Sequence, residues 1–204
     1  MKIIEGKALL MRLRNPRKVT DVIPKSKELS GNRVVVNWGV DETHVLKNLN
    51  INAPSPIEGK YRWTGKYKPF KHQKTTAGFL TLHKRAFCFN EQGTGKTASA
   101  IWAADFLMNQ GRIKRALVIC PLSIMDSAWR NDLFDFAMHR KVDVAYGSAK
   151  KRAAIINSEA EFVIINYDGV EIVADEIANG GFDLIIVDEA THYKNAQTNR
   201  WKTL

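Results

Sequence analysis

Apolar positions fall into two regimes along the chain. Lys7–Arg14 and Arg33–Trp38 read as short strands, the second carrying the β-branched run Val34-Val35-Val36. Between them, Asn15–Asn32 is basic and turn-rich, with Pro16, Pro24 and Ser30-Gly31. Asp41–Leu49 predicts a short helix, capped by Asp41 or Thr43, with Val45, Leu46 and Leu49 on one face. Ala53-Pro54-Ser55-Pro56 then interrupts regular structure, and its two prolines make a stiff connector. We place a domain boundary there: a small β-rich module over 1–55 and a second domain over 56–204.

From about residue 60, short apolar runs alternate with amphipathic stretches. Ala86–Phe89, Ala116–Cys120, Val142–Tyr146, Phe162–Asn166 and Leu184–Val187 have strand length. Lys96–Asn109, Ser127–Ala137, Ala149–Ile156 and Val170–Ala178 predict helices. Nearly continuous apolar strands separated by helices imply an α/β fold, a parallel sheet covered on both faces. Ligands of such sheets bind beyond the carboxyl ends of the strands.

Charge adds a second asymmetry. Residues 1–85 hold 18 Lys and Arg against 6 Asp and Glu, a net of +12. Residues 86–204 hold 13 against 15, a net of −2, which leaves +10 for the chain. The basic front suits phosphate backbones through counterion release, or is a solvated face that keeps the protein soluble; charge alone does not separate the two. No run of about 18 apolar residues could span a membrane. Met1-Lys2-Ile3-Ile4-Glu5-Gly6 lacks the apolar core of a signal peptide. Cys88 and Cys120 sit singly in apolar runs and read as buried free thiols, so the expectation is a cytoplasmic protein.

Two segments carry chemistry. Asn90-Glu91-Gln92-Gly93-Thr94-Gly95-Lys96-Thr97 follows one predicted strand and opens a helix. Gly93 and Gly95 let the backbone turn so that successive N–H groups face inward as an anion nest, and the helix N-terminus adds its positive end. In that role Gln92, Gly93, Thr94 and Gly95 cradle phosphates, Lys96 reaches the β- and γ-phosphates, and the Thr97 hydroxyl ligates Mg²⁺. The general pattern has Gly where this chain has Asn90. About 90 residues on, Asp183-Leu184-Ile185-Ile186-Val187 runs into Asp188-Glu189-Ala190-Thr191. An apolar strand ending in two carboxylates suits a Walker B element: Asp188 holds Mg²⁺, and Glu189 orients and deprotonates the attacking water.

These residues resemble helicase superfamily two, and within it the Swi/Snf-like ATPases that translocate on duplex DNA. The phosphate loop is similar to D-E-x-G-x-G-K-T, with Asn90 for the first Asp. Cys120-Pro121-Leu122-Ser123 followed by Trp129 and Asp132 is similar to C-P-x-S…W-x-x-E, with Asp for Glu. Asp188–Asn195 is similar to D-E-x-H-R-x-K-N, with Thr191 at the His position and His192 at the Arg position. Upstream, Tyr67-Lys68-Pro69-Phe70-Lys71-His72-Gln73 resembles the family's adenine-reading glutamine motif. A Gln amide matches the donor and acceptor edge of adenine. Phe70 or Tyr67 stacks on the base, or else packs in the core.

The resemblance spans roughly residues 66–204 and implies a RecA-like lobe that uses ATP and Mg²⁺. It implies nucleic-acid contact, on double-stranded DNA by preference, at Pro121, Ser123 and Asn166. The basic front has the look of extensions seen in phage-encoded members, for which the compartment would be the host cytoplasm. Family members continue into a G-T-P-like segment and a second RecA-like lobe with arginine fingers, expected here in cis or supplied in trans. Residues 1–204 alone are then expected to bind ATP weakly and hydrolyse it very slowly. The alternative from another class is a nucleotide-dependent nucleic-acid-binding module without catalysis of its own.

Overall fold

A computed structural model describes residues 1–189 and divides the chain into two compact units: Met1–Trp63 with Pro69–Lys96, and Thr64–Lys68 with Thr97–Leu204. Packing therefore groups residues 69–96 with the N-terminal module.

In the first unit, β1 (Lys2–Ile4), β2 (Ala8–Arg12), β3 (Lys27–Leu29) and β4 (Arg33–Asn37) form an antiparallel sheet in the order β1-β2-β4-β3. Strand alternation turns Leu9, Met11, Val34 and Val36 to one face, where all are buried. That face packs on Val19 of α1 (Arg17–Thr20), on Leu46 of α2 (Val40–Asn48), and on Ile23, Trp38 and Ala53. Helix α2 is capped by Gly39 in place of the expected Asp41 or Thr43; Thr43 is fully buried and donates to the Gly39 carbonyl at 2.7 Å. The proline connector is anchored: Trp38 Nε1 donates to the Pro54 carbonyl at 2.8 Å, and the Ser55 and Thr81 hydroxyls pair at 2.8 Å. α3 (Ile57–Lys60) and α4 (Lys71–Thr81) follow.

Ala86–Phe89, expected as a strand, is in no ladder. Phe87 and Phe89 are 74% and 88% exposed and stack on one another at 5.8 Å. The run is apolar throughout and of strand length, but both rings stay in solvent.

The second unit contains α5 (Lys96–Asn109) from Thr97 onward, and a parallel sheet. Its strands are β5 (Ala116–Cys120), β6 (Val142–Ala145), β7 (Phe162–Asn166) and β8 (Leu184–Val187), in the order β6-β7-β5-β8. Every residue of β5 and β7 is buried. Their side chains divide by parity. Ala116, Val118, Cys120, Phe162 and Ile164 meet α5 and the segment carrying Met125, Trp129 and Leu133. Leu117, Ile119, Val163 and Ile165 meet Ile156 of α7 (Ala149–Ile156), and Val170 and Val173. This is the predicted sheet flanked by helices on both faces.

Two expected helices are remodelled. Ser127–Ala137 is a π-helical stretch, Met125–Arg130, continued by α6 (Asn131–Ala137). Val170–Ala178 is broken at Val173, whose φ of −128° and ψ of 37° leave the helical region between α8 (Tyr167–Ile172) and α9 (Ala174–Asn179). At the amino end of the sheet, fully buried Asp105 of α5 accepts from Arg140 Nε at 2.6 Å, and Arg140 also holds Glu161 at 2.7 Å. A buried carboxylate needs such partners, and the pairing ties α5 to the strands. Among the described residues, no helix is long and apolar enough to cross a membrane.

Candidate nucleotide and nucleic-acid sites

The loop expected to hold phosphates, Asn90–Gly95, runs directly into α5. Gly93 and Gly95 have φ of 77° and 75°, the left-handed region that side chains disfavour. A Cβ on Gly95 would displace the Gln73 amide end, but it is the left-handed φ that calls for glycine there. Thr94 Oγ1 donates to the Glu91 carbonyl at 2.7 Å and tightens the turn. Lys96 Nζ donates to the carbonyls of Asn90 (2.9 Å) and Glu91 (3.2 Å), which holds the ammonium over the loop. Thr97 stands in the first turn of a 14-residue helix, where the backbone N–H groups are free of intrahelical acceptors.

Helix α4 braces this loop from within the same unit. Gln73 Oε1 accepts from the Phe70 N–H at 2.9 Å, and its Nε2 donates to the Thr94 carbonyl at 3.3 Å. His72 Nε2 reaches the same carbonyl at 3.1 Å. The glutamine amide expected to read adenine thus also links the helix start to the loop. Asn90, the departure from the usual glycine, donates through Nδ2 to Thr76 Oγ1 at 2.8 Å. Phe70 is 68% exposed and stacked on His72 at 5.7 Å, which decides against a core role for that ring. Tyr67 is also exposed, tilted against Phe136 with Lys66 over its face.

The carboxyl ends of the parallel strands bring together a second set. Asp188 follows β8, and its N–H donates to the Ile119 carbonyl at 2.9 Å. One carboxylate oxygen, Oδ2, accepts from Trp129 Nε1 at 2.9 Å; the other, Oδ1, accepts from the Glu189 N–H at 3.0 Å. Tyr167 OH donates to the Asp188 carbonyl. The half-buried acid is therefore fixed on both oxygens and at its backbone. Glu189 is exposed with φ of 53°, a strained conformation for a residue bearing a Cβ. Ala190–Asn195, including Thr191 and His192, lie outside the described residues.

Trp129 is 1% exposed and packs in the core, as its apolar surroundings suggest. Its indole N–H bond to Asp188 was not visible in the sequence, where 59 residues separate the two. Cys120 ends β5 beside these acids. Burial, then the charges of Asp188 and Glu189, push its thiol up to about 12. Only the thiolate alkylates, so Cys120 is expected to stay unlabelled by iodoacetamide at neutral pH while Cys88 reacts. Between pH 7 and 9 its labelling, followed by peptide mass spectrometry, should rise about tenfold per unit without a plateau. A plateau near pH 8.5 would show that the thiol is neither buried nor raised by the two acids.

Of the residues expected to touch nucleic acid, Pro121 is half-buried and Ser123 exposed on a 3₁₀ turn, its carbonyl accepting from Ser127 Oγ at 2.8 Å. Asn166 is 6% exposed, and its Oδ1 accepts from Arg152 Nη1 at 2.9 Å. Arg152 is itself buried and also binds the Ala145 and Gly147 carbonyls, so Asn166 is directed into the protein.

Residues 72–204 match the SNF2-related domain family, and the chain belongs to it. Among curated relatives, putative protein p41 of Acyrthosiphon pisum secondary endosymbiont phage 1 is 31% identical over 134 residues, covering 63% of this chain and 29% of its own. The chromatin-remodeling ATPase INO80 of Aspergillus oryzae is 30% identical over 201 residues, covering 87% of this chain and 14% of its own. Among solved structures, the Sulfolobus solfataricus SWI2/SNF2 ATPase core in complex with dsDNA superposes with a TM-score of 0.58 at 22% identity, over 69% of this chain and 30% of that one. The fold is thus that of a RecA-like ATPase core lobe. The chain spans less than a third of these relatives' length.

Proposed function

We propose that the chain is the ATP-binding lobe of a nucleic-acid-dependent motor ATPase that acts on double-stranded DNA. The observation that carries this reading is that one chain carries two motifs, each pre-organised within its own unit. One is a loop with two left-handed glycines and a lysine at a helix start; the other is a strand-end aspartate fixed on both oxygens.

The residues fit a magnesium nucleotide: Gln92–Gly95 offer backbone N–H groups, and Thr97 and Asp188 offer the hard oxygens that Mg²⁺ prefers. The bound cation would neutralise charge on the phosphates. Lys96 exchanges its loop carbonyls for phosphate oxygens. Glu189 accepts a proton from the attacking water. Gln73 and Phe70 border the base, which favours ATP over GTP. Ser123, with the Pro121 turn, contacts a phosphodiester at the strand ends. A second RecA-like lobe, in cis or in trans, completes hydrolysis with arginine, and residues 1–204 alone turn over slowly.

Titration with a fluorescent ATP analogue tests the binding half. Lys96→Ala is expected to weaken binding roughly 10- to 100-fold, the loss of a charge-assisted contact. Wild-type affinity in that variant would remove the reading. Duplex binding without any nucleotide affinity would favour a plain nucleic-acid-binding module.

A further inference from the structure

The N-terminal sheet has a second face. Opposite the buried side, strand parity places Leu10 and Val35 at the centre of an open surface, both half-buried. The register sets Lys2 against Leu10 on one flank and Lys27 against Val35 on the other. One step along the same face, Arg12 of β2 lies directly opposite Arg33 of β4. All four cations are exposed. They span three strand intervals, about 14 Å, and two rows about 7 Å apart.

No strand position on this face is a carboxylate; Glu28 pairs with Val34 and so belongs to the other side. Glu42, whose Oε1 accepts from Asn37 at 3.1 Å, sits at the end away from Arg12 and Arg33. Among the described residues, Lys2, Arg12 and Lys27 have no acidic partner, and Arg33 bonds only to Ser30. Like charges directly opposite in a ladder destabilise it, so the Arg12–Arg33 pair works against the sheet unless an anion lies over it.

We propose that this face binds the phosphodiester backbone of nucleic acid, without reading sequence. Flat geometry, four cations in two rows and an apolar centre suit a backbone lying across the strands, and Arg supplies the fork that matches phosphate oxygens. The structure also sorts the basic residues of the N-terminal segment. Arg12 and Lys27 belong to the open face, whereas Arg17 and Lys18 ride on α1, which covers the buried one through Val19. The surface shares no residue with the phosphate loop or the strand-end acids, so it can fail while the nucleotide reading stands.

The test is anisotropy of a labelled mixed-sequence duplex against the full chain over a range of salt. Arg12→Glu/Lys27→Glu is expected to bind at least about tenfold more weakly, with the log–log salt slope reduced by about two. Arg17→Glu/Lys18→Glu carries the same change in net charge and should stay near wild type. Both variants should still melt cooperatively: Arg12→Glu replaces a like-charge pair opposite Arg33 by an opposite-charge one, and Lys18→Glu gives up one exposed hydrogen bond, from Nζ to the Leu49 carbonyl. Equal losses in the two variants, loss in neither, or stronger competition by polyglutamate than by unlabelled duplex would each overturn the proposal.

Discussion

Glu189→Gln is expected to lower ATP turnover by about 10² to 10⁴, the usual contribution of a positioned general base, while ATP binding stays close to wild type. The structure favours this substitution as a clean one. Glu189 is exposed, and its N–H bond to Asp188 Oδ1 involves backbone, which the change leaves intact. Its φ of 53° strains Gln as much as Glu, so the variant isolates the carboxylate from the conformation. Phosphate release by the full-length protein with saturating duplex is the measurement, alongside analogue binding. Unchanged turnover would mean that another group activates the water. Lost binding would mean that Glu189 supports the nucleotide rather than its hydrolysis.

What the sequence disclosed follows from burial. β5 and β7 were legible because a parallel strand covered on both faces must be apolar at each position, and the edge strand β8 keeps the same apolar run although Ile185 is exposed. The turn at Gly93 and Gly95 was legible because left-handed backbone needs glycine, and both adopt it. Three-residue strands leave no alternation to detect: β1 and β3 form only because β2 and β4 offer edges. Helix α4 was hidden for a different reason. Its buried side is Thr76, Ala77, Gly78 and Thr81, small and partly polar residues that carry no apolar period. Ala86–Phe89 misled in the opposite direction, a continuous apolar run of strand length yet outside any ladder. The site showed the same division. Asp188 could be singled out as a candidate from the strand end it follows, but the partners that fix it, Trp129 and Tyr167, come from other elements and are joined to it only by the fold.

That long-range link yields the second large effect. Trp129→Ala removes a fully buried indole from the cluster of Met125, Leu133, Phe162 and Ile164 and should destabilise the lobe by about 3–5 kcal/mol. Trp129→Phe separates packing from polarity: the ring still fills most of the site, but the donor to Asp188 Oδ2 is gone. Among the described residues the carboxylate then keeps only the Glu189 N–H and can rotate away from the direction its two hydrogen bonds set. Outer partners of a metal-binding carboxylate typically govern about 10- to 100-fold in metal affinity. The Mg²⁺ concentration for half-maximal ATP binding should therefore rise by that order in Trp129→Phe. Binding measured without Mg²⁺ should be unaffected. A purely structural tryptophan predicts the reverse, a lower melting temperature with no change in Mg²⁺ dependence. The Mg²⁺ titration thus decides whether Trp129 aims Asp188 at a cation or simply closes the core beneath it.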